Sequence, residues 1–415
     1  MNQTEFKQFI KVLRFVLENK YSSFYRDKYK QKISLKSISF PADFKKIPFL
    51  IKEEIIRIDP YRRFFENPQK IRRISMTSGT TGSNIPFVSF RPEGSSFIRR
   101  FKKMPFKNIL HLGPVFSGSF LNFSQILGEK TSTLPILGDI NNLERTAKMA
   151  KLVKIEALQT SPTILYFFIP YLRKEHSLKK IKHIRLGGEY CSEARYTLFK
   201  KLFPNAQFDF SYAGDGMGLR GYRCQFLSKN YQPKFFHPSH HLYMEVLREE
   251  NELVVTSLIT NTGFPHIRYK TGDSVLITDF ECRCGSKKLM EVFGKINFDV
   301  IRISGTTIYA SEVEKALQPV KTYVDDDFQL HVYEAILDDK IRPKLELKLK
   351  LKKGVLEEKL LRAILVREIS SHLYLSVTLT LEDLVKKGIF LPLELTFVDS
   401  FPFSPKKKHL ILHVS

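Results

Sequence analysis

The chain has no tryptophan, only four cysteines in 415 residues, and no apolar run near the roughly 20 residues of a membrane-spanning helix. So few cysteines exclude a small scaffold stapled by disulfides. Two of them, in Cys282-Arg283-Cys284, lie too close together to bridge easily. The N-terminus, Met1-Asn2-Gln3-Thr4-Glu5-Phe6, lacks the basic-then-apolar layout of a secretory signal, so a cytoplasmic setting is expected. Internal repeats, low-complexity linkers and a long basic tail are also missing. The formal net charge of +24 comes from 67 Lys and Arg spread along the whole length, in short clusters such as Lys179-Lys180 and Lys406-Lys407-Lys408. With no recognisable RNA- or DNA-binding motif, this charge reads as lysine-rich solvated faces, part of it serving anionic substrates, and no nucleic-acid partner is expected.

What is present is the composition of a globular protein, 43% hydrophobic, in a chain long enough for a large and a small domain. Phe6, Phe9, Ile10, Leu13, Val16 and Leu17 recur at helical spacing, and Ile47 to Glu54 reads as a turn opening another helix. Between Phe101 and Leu202 strand-like segments (Val115-Phe116-Ser117, Ile181 to Leu186) alternate with helical ones (Leu143 to Leu158). That alternation predicts an α/β fold with a largely parallel sheet and flanking helices, whose ligands sit in loops at strand ends. After Gly294 the pattern changes. Phe328–Tyr333, Lys344–Lys350 and Leu393–Val398 alternate apolar with polar residues around a helix from about Val355 to Ser370. This predicts a domain of residues 1–296 followed by a small, mobile α+β domain of residues 297–415.

The most informative segment is Ser75-Met76-Thr77-Ser78-Gly79-Thr80-Thr81-Gly82, entered from the strand-like Arg72 to Met76. Two glycines let a backbone bend around an anion, and the hydroxyls supply donors for polyphosphate. No Gly-Lys-Ser/Thr follows, so it is not the lysine-bearing phosphate loop. Taken alone it also fits a plain surface turn. Four more segments follow in order: Gly187-Gly188-Glu189 after a strand, Ser211-Tyr212-Ala213-Gly214-Asp215-Gly216, Tyr269-Lys270-Thr271-Gly272-Asp273, and Pro402 to Lys408. Each has a plain structural reading, Tyr269–Asp273 as a turn after a strand and Lys408 as a solvated lysine.

Taken together, the five segments resemble the adenylate-forming superfamily of acyl-CoA synthetases, peptide-synthetase adenylation domains and luciferases. The likeness is greatest to the phenylacetate-CoA ligase and CapK-type branch, with Phe24-Tyr25-Arg26 and Ile47 to Lys52 matching that branch's N-terminal segments. The resemblance implies that Thr77, Ser78, Gly79, Thr80, Thr81 and Gly82 cradle the β- and γ-phosphates of ATP. It implies that Gly187, Gly188 and Glu189 border the adenine, with Tyr212 on its other face. Asp273 then accepts hydrogen bonds from the ribose hydroxyls, Lys295 reaches the ribose, and Lys408 bridges the carboxylate substrate and the α-phosphate as a point charge.

The chain departs from the family pattern at several places. Where relatives carry Tyr-Gly-x-Thr-Glu, with the Glu on Mg²⁺, an ungapped match offers Gly216 and a one-residue deletion offers Asp215, still a hard oxygen ligand. The lysine usual soon after the phosphate loop is absent from Ser83-Asn84-Ile85-Pro86. Asn297 stands at the usual hinge aspartate, and Lys406-Lys407-Lys408 replaces Ser-Gly-Lys, with Lys407 one residue from the expected position. Cys282-x-Cys284-Gly285 matches a CxCG segment of the branch. The resemblance then implies a closed, structural zinc site of Cys224, His237, Cys282 and Cys284, with His240 or His241 as alternative imidazoles. From the residues alone, buried thiols serve equally, and Cys191 is a small core residue. The implied activity is ATP- and Mg²⁺-dependent conversion of a carboxylic acid to acyl-AMP, then transfer to coenzyme A. A carrier-protein thiol or an amine is the alternative acceptor, and a catalytically weakened AMP-binding scaffold the rival. Phe116, Phe120 and Phe123 fit either an acyl pocket or core.

Overall fold

A computed structural model describes residues 1–29, 42–76, 88–92, 107–113, 133–188, 191, 193–214, 218–248, 251–295, 300–303, 306–337, 340–376, 378–401 and 410–413. The chain divides into two compact units, Met1–Tyr190 with Leu202–Ile296, and Cys191–Lys201 with Asn297–Ser415. No helix among the described residues is long and apolar enough to cross a membrane.

The first unit opens with helix α1 (Gln3–Leu17), started by a capping box between Asn2 and Glu5 and burying Phe9, Val12, Leu13 and Val16. Helix α2 (Phe24–Tyr29), α3 (Ala42–Lys46) and α4 (Lys52–Ile56) follow, and then the hairpin of β1 (Ile71–Met76) and β2 (Val88–Pro92). Strands β3 (Asn108–His111), β4 (Leu134–Leu137), β5 (Ala157–Thr160), β6 (His183–Gly187) and β7 (Gln207–Ala213) pair in parallel in the order β4-β3-β5-β6-β7. Helices α5 (Leu143–Leu152) and α6 (Pro162–Glu175) cross over between β4, β5 and β6. Their caps are Asn142 and Ser161, with Pro162 at the start of α6 where its missing N–H costs nothing.

Beyond β7 the sheet continues antiparallel through β8 (Leu219–Tyr222), β9 (Phe235–Pro238), β10 (Leu242–Leu247), β11 (Glu252–Ser257), β12 (Tyr269–Asp279) and β13 (Lys288–Lys295). The complete order is β10-β11-β12-β13-β9-β8-β7-β6-β5-β3-β4.

The N-terminal segments that resemble the ligase branch pin down the approach to β12. The Tyr25 hydroxyl donates to the Pro265 carbonyl at 2.7 Å, and Leu50 pairs with Tyr269 as a parallel bridge. Arg268 sits in the left-handed region at φ 47°, a strain of roughly 1–2 kcal/mol for a side-chain-bearing residue. It is held there by Glu245 at 3.0 and 3.1 Å, by the carbonyls of Lys45 and Ile47, and by the Phe49 ring 4.2 Å away.

The second unit has its own core. Helix α7 (Glu193–Leu202) lies in it as far as Lys201, and buried Arg195 pairs with Glu334 at 2.8 Å. Strands β14 (Val300–Ile303) and β15 (Thr306–Tyr309) form a hairpin. Strands β16 (Val324–Leu337), β17 (Lys340–Leu351), β18 (Glu394–Phe397) and β19 (Leu410–Leu412) make a four-stranded sheet in the order β18-β17-β16-β19. Leu330, Val332, Leu345, Leu347, Leu349 and Leu395 alternate onto its buried face, against helices that bring Val313, Leu365, Ile369 and Leu384.

Three sequence expectations change. The helix expected over Leu143–Leu158 stops at Leu152, because Lys154 turns left-handed at φ 51° and Ala157–Leu158 enter the sheet between β3 and β6. The helix expected from Val355 begins at Lys359, after Gly354 turns at φ 88°, and runs to His372. Tyr269–Asp273 is not a turn but the first part of β12, with Gly272 at φ 66° inside the strand. Val115–Ser117, Phe116, Phe120 and Phe123 lie outside the described residues.

Two buried imidazoles make the fold acid-sensitive. Burial lowers His111, in the first unit, to about 4. His331, in the second, is also lowered to about 4, first by burial and then by Lys348 and His413. An unfolded histidine takes a proton near pH 6.5, which the folded site refuses until about pH 4. Stability is therefore full above pH 6.5 and falls as the pH drops from 6.5 toward 4, by roughly 3 kcal/mol for His111 alone. Urea unfolding between pH 7.5 and 5 is expected to show this decline, and a flat profile over that window refutes it.

Candidate active site and metal centre

Tyr212, at the end of β7, and Asp273, in β12, meet although their strands are four places apart in the sheet. Four strand spacings amount to about 19 Å in a flat sheet. The Tyr212 hydroxyl instead donates to Asp273 Oδ2 at 2.5 Å, so the sheet curls around the site. Arg220, in β8, donates to the same oxygen at 2.5 Å and lies 3.5 Å from the Tyr212 hydroxyl. The ion pair is almost dry, with Arg220 1% and Asp273 5% exposed. Burial, and next the negative charge of Asp273, push the Tyr212 phenol well above its ordinary range, so it stays a donor. Gly214 leaves room for this arginine, since a Cβ there would stand 3.0 Å from the guanidinium. The result is a carboxylate of fixed orientation beside an aromatic ring, on strands that resist rearrangement.

A second constellation gathers around β9. Cys224 is the N-cap of helix α8 (Gln225–Asn230), His237 is in β9, and Cys282 and Cys284 flank a turn closed by Gly285 at φ 86° after β12. Cys224 Sγ is 3.6 Å from Cys282 Sγ and 3.4 Å from His237 Nε2, and Cys284 Sγ is 3.4 Å from the same nitrogen. All four ligand atoms lie within 4.8 Å of one another. With Zn–S of about 2.3 Å and Zn–N of about 2.0 Å, the edges of a tetrahedron around zinc come to about 3.8 Å (S–S) and about 3.5 Å (S–N). The cage therefore has the size of a zinc site, while a disulfide needs sulfurs at about 2.05 Å. His237 Nδ1 lies 2.9 Å from the Lys288 carbonyl; with its proton there, Nε2 is left as a ligand lone pair. Burial raises the Cys282 thiol to about 11. At Cys224 burial is outweighed by hydrogen bonds from the Leu227 N–H and the neighbouring thiols, and the thiol is lowered. Of the three histidines open from sequence, His237 joins the cage. His240 turns to the Tyr222 hydroxyl at 3.3 Å, and His241 is not in the cluster.

No protein-family model and no curated protein matches this chain. Solved structures do. A structure of 2-hydroxyisobutyryl-CoA ligase in complex with 2-HIB-AMP and CoA, in the thioesterification state, superposes with a TM-score of 0.64 at 18% identity. The match covers 99% of this chain and 89% of that one. An open conformation of the same ligase gives a TM-score of 0.61 at 17% identity, over 98% and 90% of the two chains. The chain has the adenylate-forming ligase fold.

Within the adenylate-forming fold the sequence-derived residues fall into three groups. Gly187, Gly188 and Tyr212 stand at the ends of β6 and β7, and Asp273, inside β12, reaches Tyr212. Gly187 pairs with Ser211 in register, so close that a Cβ on it would meet Ser211 Oγ at 2.4 Å, and Gly188 turns at φ 86°. Lys295 lies opposite Asp273 in the β12–β13 ladder. Thr77, Ser78, Gly79, Thr80, Thr81, Gly82, Glu189, Asp215, Asn297 and Lys408 lie outside the described residues, as do Gly216 and Lys407. Sequence reasoning missed Arg220. Its neighbours, Gly214 and Gly221, are the only local hint of a crowded backbone, and its partner is 53 residues away.

Proposed function

We propose that the chain is an ATP-dependent acid–CoA ligase of the phenylacetate-CoA ligase type. The observation that carries this reading is the Tyr212–Asp273–Arg220 cluster, which joins two residues that the motif resemblance assigns to the nucleotide, in a chain that shares the fold of a ligase solved with 2-HIB-AMP. In the first half-reaction a substrate carboxylate oxygen attacks the α-phosphorus of ATP and pyrophosphate leaves. In the second, a thiolate attacks the acyl carbonyl and AMP leaves. Both steps join anions, so the site's work is to hold atoms in line and neutralise charge.

Asp273 holds the ribose hydroxyls, Tyr212 covers one face of the adenine, and Gly187 and Gly188 let the base approach the backbone. The Thr77–Gly82 loop grips the β- and γ-phosphates, and Lys408 bridges the carboxylate and the α-phosphate. Asp215 would hold Mg²⁺, which would supply charge neutralisation at the phosphates. A second unit turning about Lys295 and Asn297 presents different surfaces to the two half-reactions. The cage of Cys224, His237, Cys282 and Cys284 would hold a structural Zn²⁺, since three thiols and an imidazole leave no position open for substrate. The acceptor is the thiol of coenzyme A; a carrier-protein thiol and an amine are the alternatives.

Carboxylate-dependent pyrophosphate release, scored over aryl, hydroxy and fatty acids with hydroxylamine trapping the adenylate, tests the reading. ATP binding without turnover of any acid replaces it with a binding protein. Lys408→Ala is expected to lower adenylation by about a thousandfold while thioester formation from supplied acyl-AMP continues. Unchanged adenylation removes Lys408 from the mechanism.

A further inference from the structure

The parallel strands have a second end, opposite the one that carries Gly187 and Tyr212. There the chain enters β3, β5, β6 and β7 through 107–108, 152–156, 176–182 and 203–206. These segments are stitched into one ridge. The Asn108 amide donates to the Val153 carbonyl at 2.8 Å and its oxygen accepts the Glu156 N–H at 3.0 Å. Lys182 N donates to the Glu156 carbonyl at 2.7 Å, and Asn205 holds the Lys179 carbonyl at 2.9 Å.

The ridge is chemically one-sided. Lys107, Lys154, Lys179, Lys180 and Lys182 are exposed on it, and the only acidic residue in these segments is Glu156, which pairs with Lys182. Among them stands Leu152, 81% exposed, the most exposed large apolar side chain among the described residues, followed by Val153 at 40%. Helix α5 ends in a Schellman turn, with Ile155 N on the Ala150 carbonyl and Lys154 N on the Lys151 carbonyl. The left-handed position of that turn, φ 51°, is where glycine is favoured, yet lysine occupies it. Residues 297–415 hold 18 Lys and Arg against 17 Asp and Glu, so nearly all of the net +24 lies in residues 1–296.

We propose that this ridge docks the protein on an anionic lipid surface, with Leu152 and Val153 entering the acyl boundary and the lysines resting among acidic headgroups. The apolar tip favours lipid over nucleic acid, which offers lysines phosphates but gives an exposed leucine nothing to enter. Docked this way, the strand ends carrying Tyr212 face away from the membrane.

Sedimentation with vesicles of phosphatidylcholine, alone or mixed with phosphatidylglycerol, tests the proposal. Binding is expected only to the mixed vesicles and should weaken with salt. A lysine near such a surface contributes about a factor of five, so Lys154→Glu, Lys179→Glu and Lys180→Glu together, which also add three repelled carboxylates, are expected to weaken binding by about a hundredfold or more. Lys7→Glu, Lys11→Glu and Arg14→Glu on α1, with the same charge change, are expected to leave most of it. Leu152→Ser, neutral in charge, is expected to weaken it several-fold. Lys154→Gly relieves backbone strain, so it is expected to weaken binding without lowering the melting temperature. Equal losses from the two triple variants, unchanged binding by Leu152→Ser, no binding to mixed vesicles, or tighter binding to RNA than to vesicles each overturn it.

Discussion

Cys282→Ser is expected to lose the bound zinc and lower the melting temperature by of order 10 °C, for a loss of about 4 kcal/mol. The ion would join helix α8, strand β9 and the turn after β12. Removing one thiolate leaves the remaining ligands facing one another without the charge that draws them together. Purified protein is expected to contain one zinc per chain by elemental analysis. Chelation should reproduce the destabilisation, and added zinc should reverse it in the parent protein but not in Cys282→Ser. His237→Ala is expected to behave alike, while His240→Ala keeps the metal. Protein without stoichiometric zinc, and with unchanged stability in chelator, removes the metal and leaves a cluster of thiols.

Asp273→Ala is expected to damage stability and nucleotide binding together, by separable routes. The carboxylate is an ion-pair partner of Arg220, 1% exposed, so its loss takes a counter-charge away from a buried guanidinium. Breaking a buried pair in this way costs roughly 3–5 kcal/mol. Removing both charges, in Asp273→Ala with Arg220→Leu, is expected to recover much of that stability. ATP affinity should fall about a hundredfold or more in Asp273→Ala and stay low in the double variant, because the ribose partner is still missing. Recovered stability with recovered ATP binding removes Asp273 from the nucleotide site. Equal stability of single and double variants shows that the ion pair contributes nothing to the fold.

Much of the architecture was legible along the chain. Alternation in Lys344–Lys350 marked a half-buried strand because side chains in a strand face opposite sides, and Leu345, Leu347 and Leu349 do face the core of the second unit. The α1 stripe was legible for the corresponding helical reason. Helix ends were less so: Leu143–Leu158 read as one helix because Ile155, Ala157 and Leu158 suit a buried strand as well as a helix face. Tyr269–Asp273 also admits a turn because Thr-Gly-Asp has turn chemistry, while the bonds that tie Leu50 to Lys270 and Asn251 to Val275 in the strand come from distant sequence.

By itself the sequence determined which residue types stand in which order: the hydroxyl-and-glycine loop, the tyrosine, the carboxylate, the cysteines and the terminal lysines. It determined the two kinds of hydrophobic period as well, because these are local properties of the backbone. Only the tertiary structure decided that Asp273 is paired with Arg220, that Tyr212 reaches it across a curled sheet, and that His237 rather than His240 or His241 completes the cage. Those choices depend on strand order, sheet curvature and side-chain direction. They are settled by contacts between residues tens of positions apart, which no local pattern encodes.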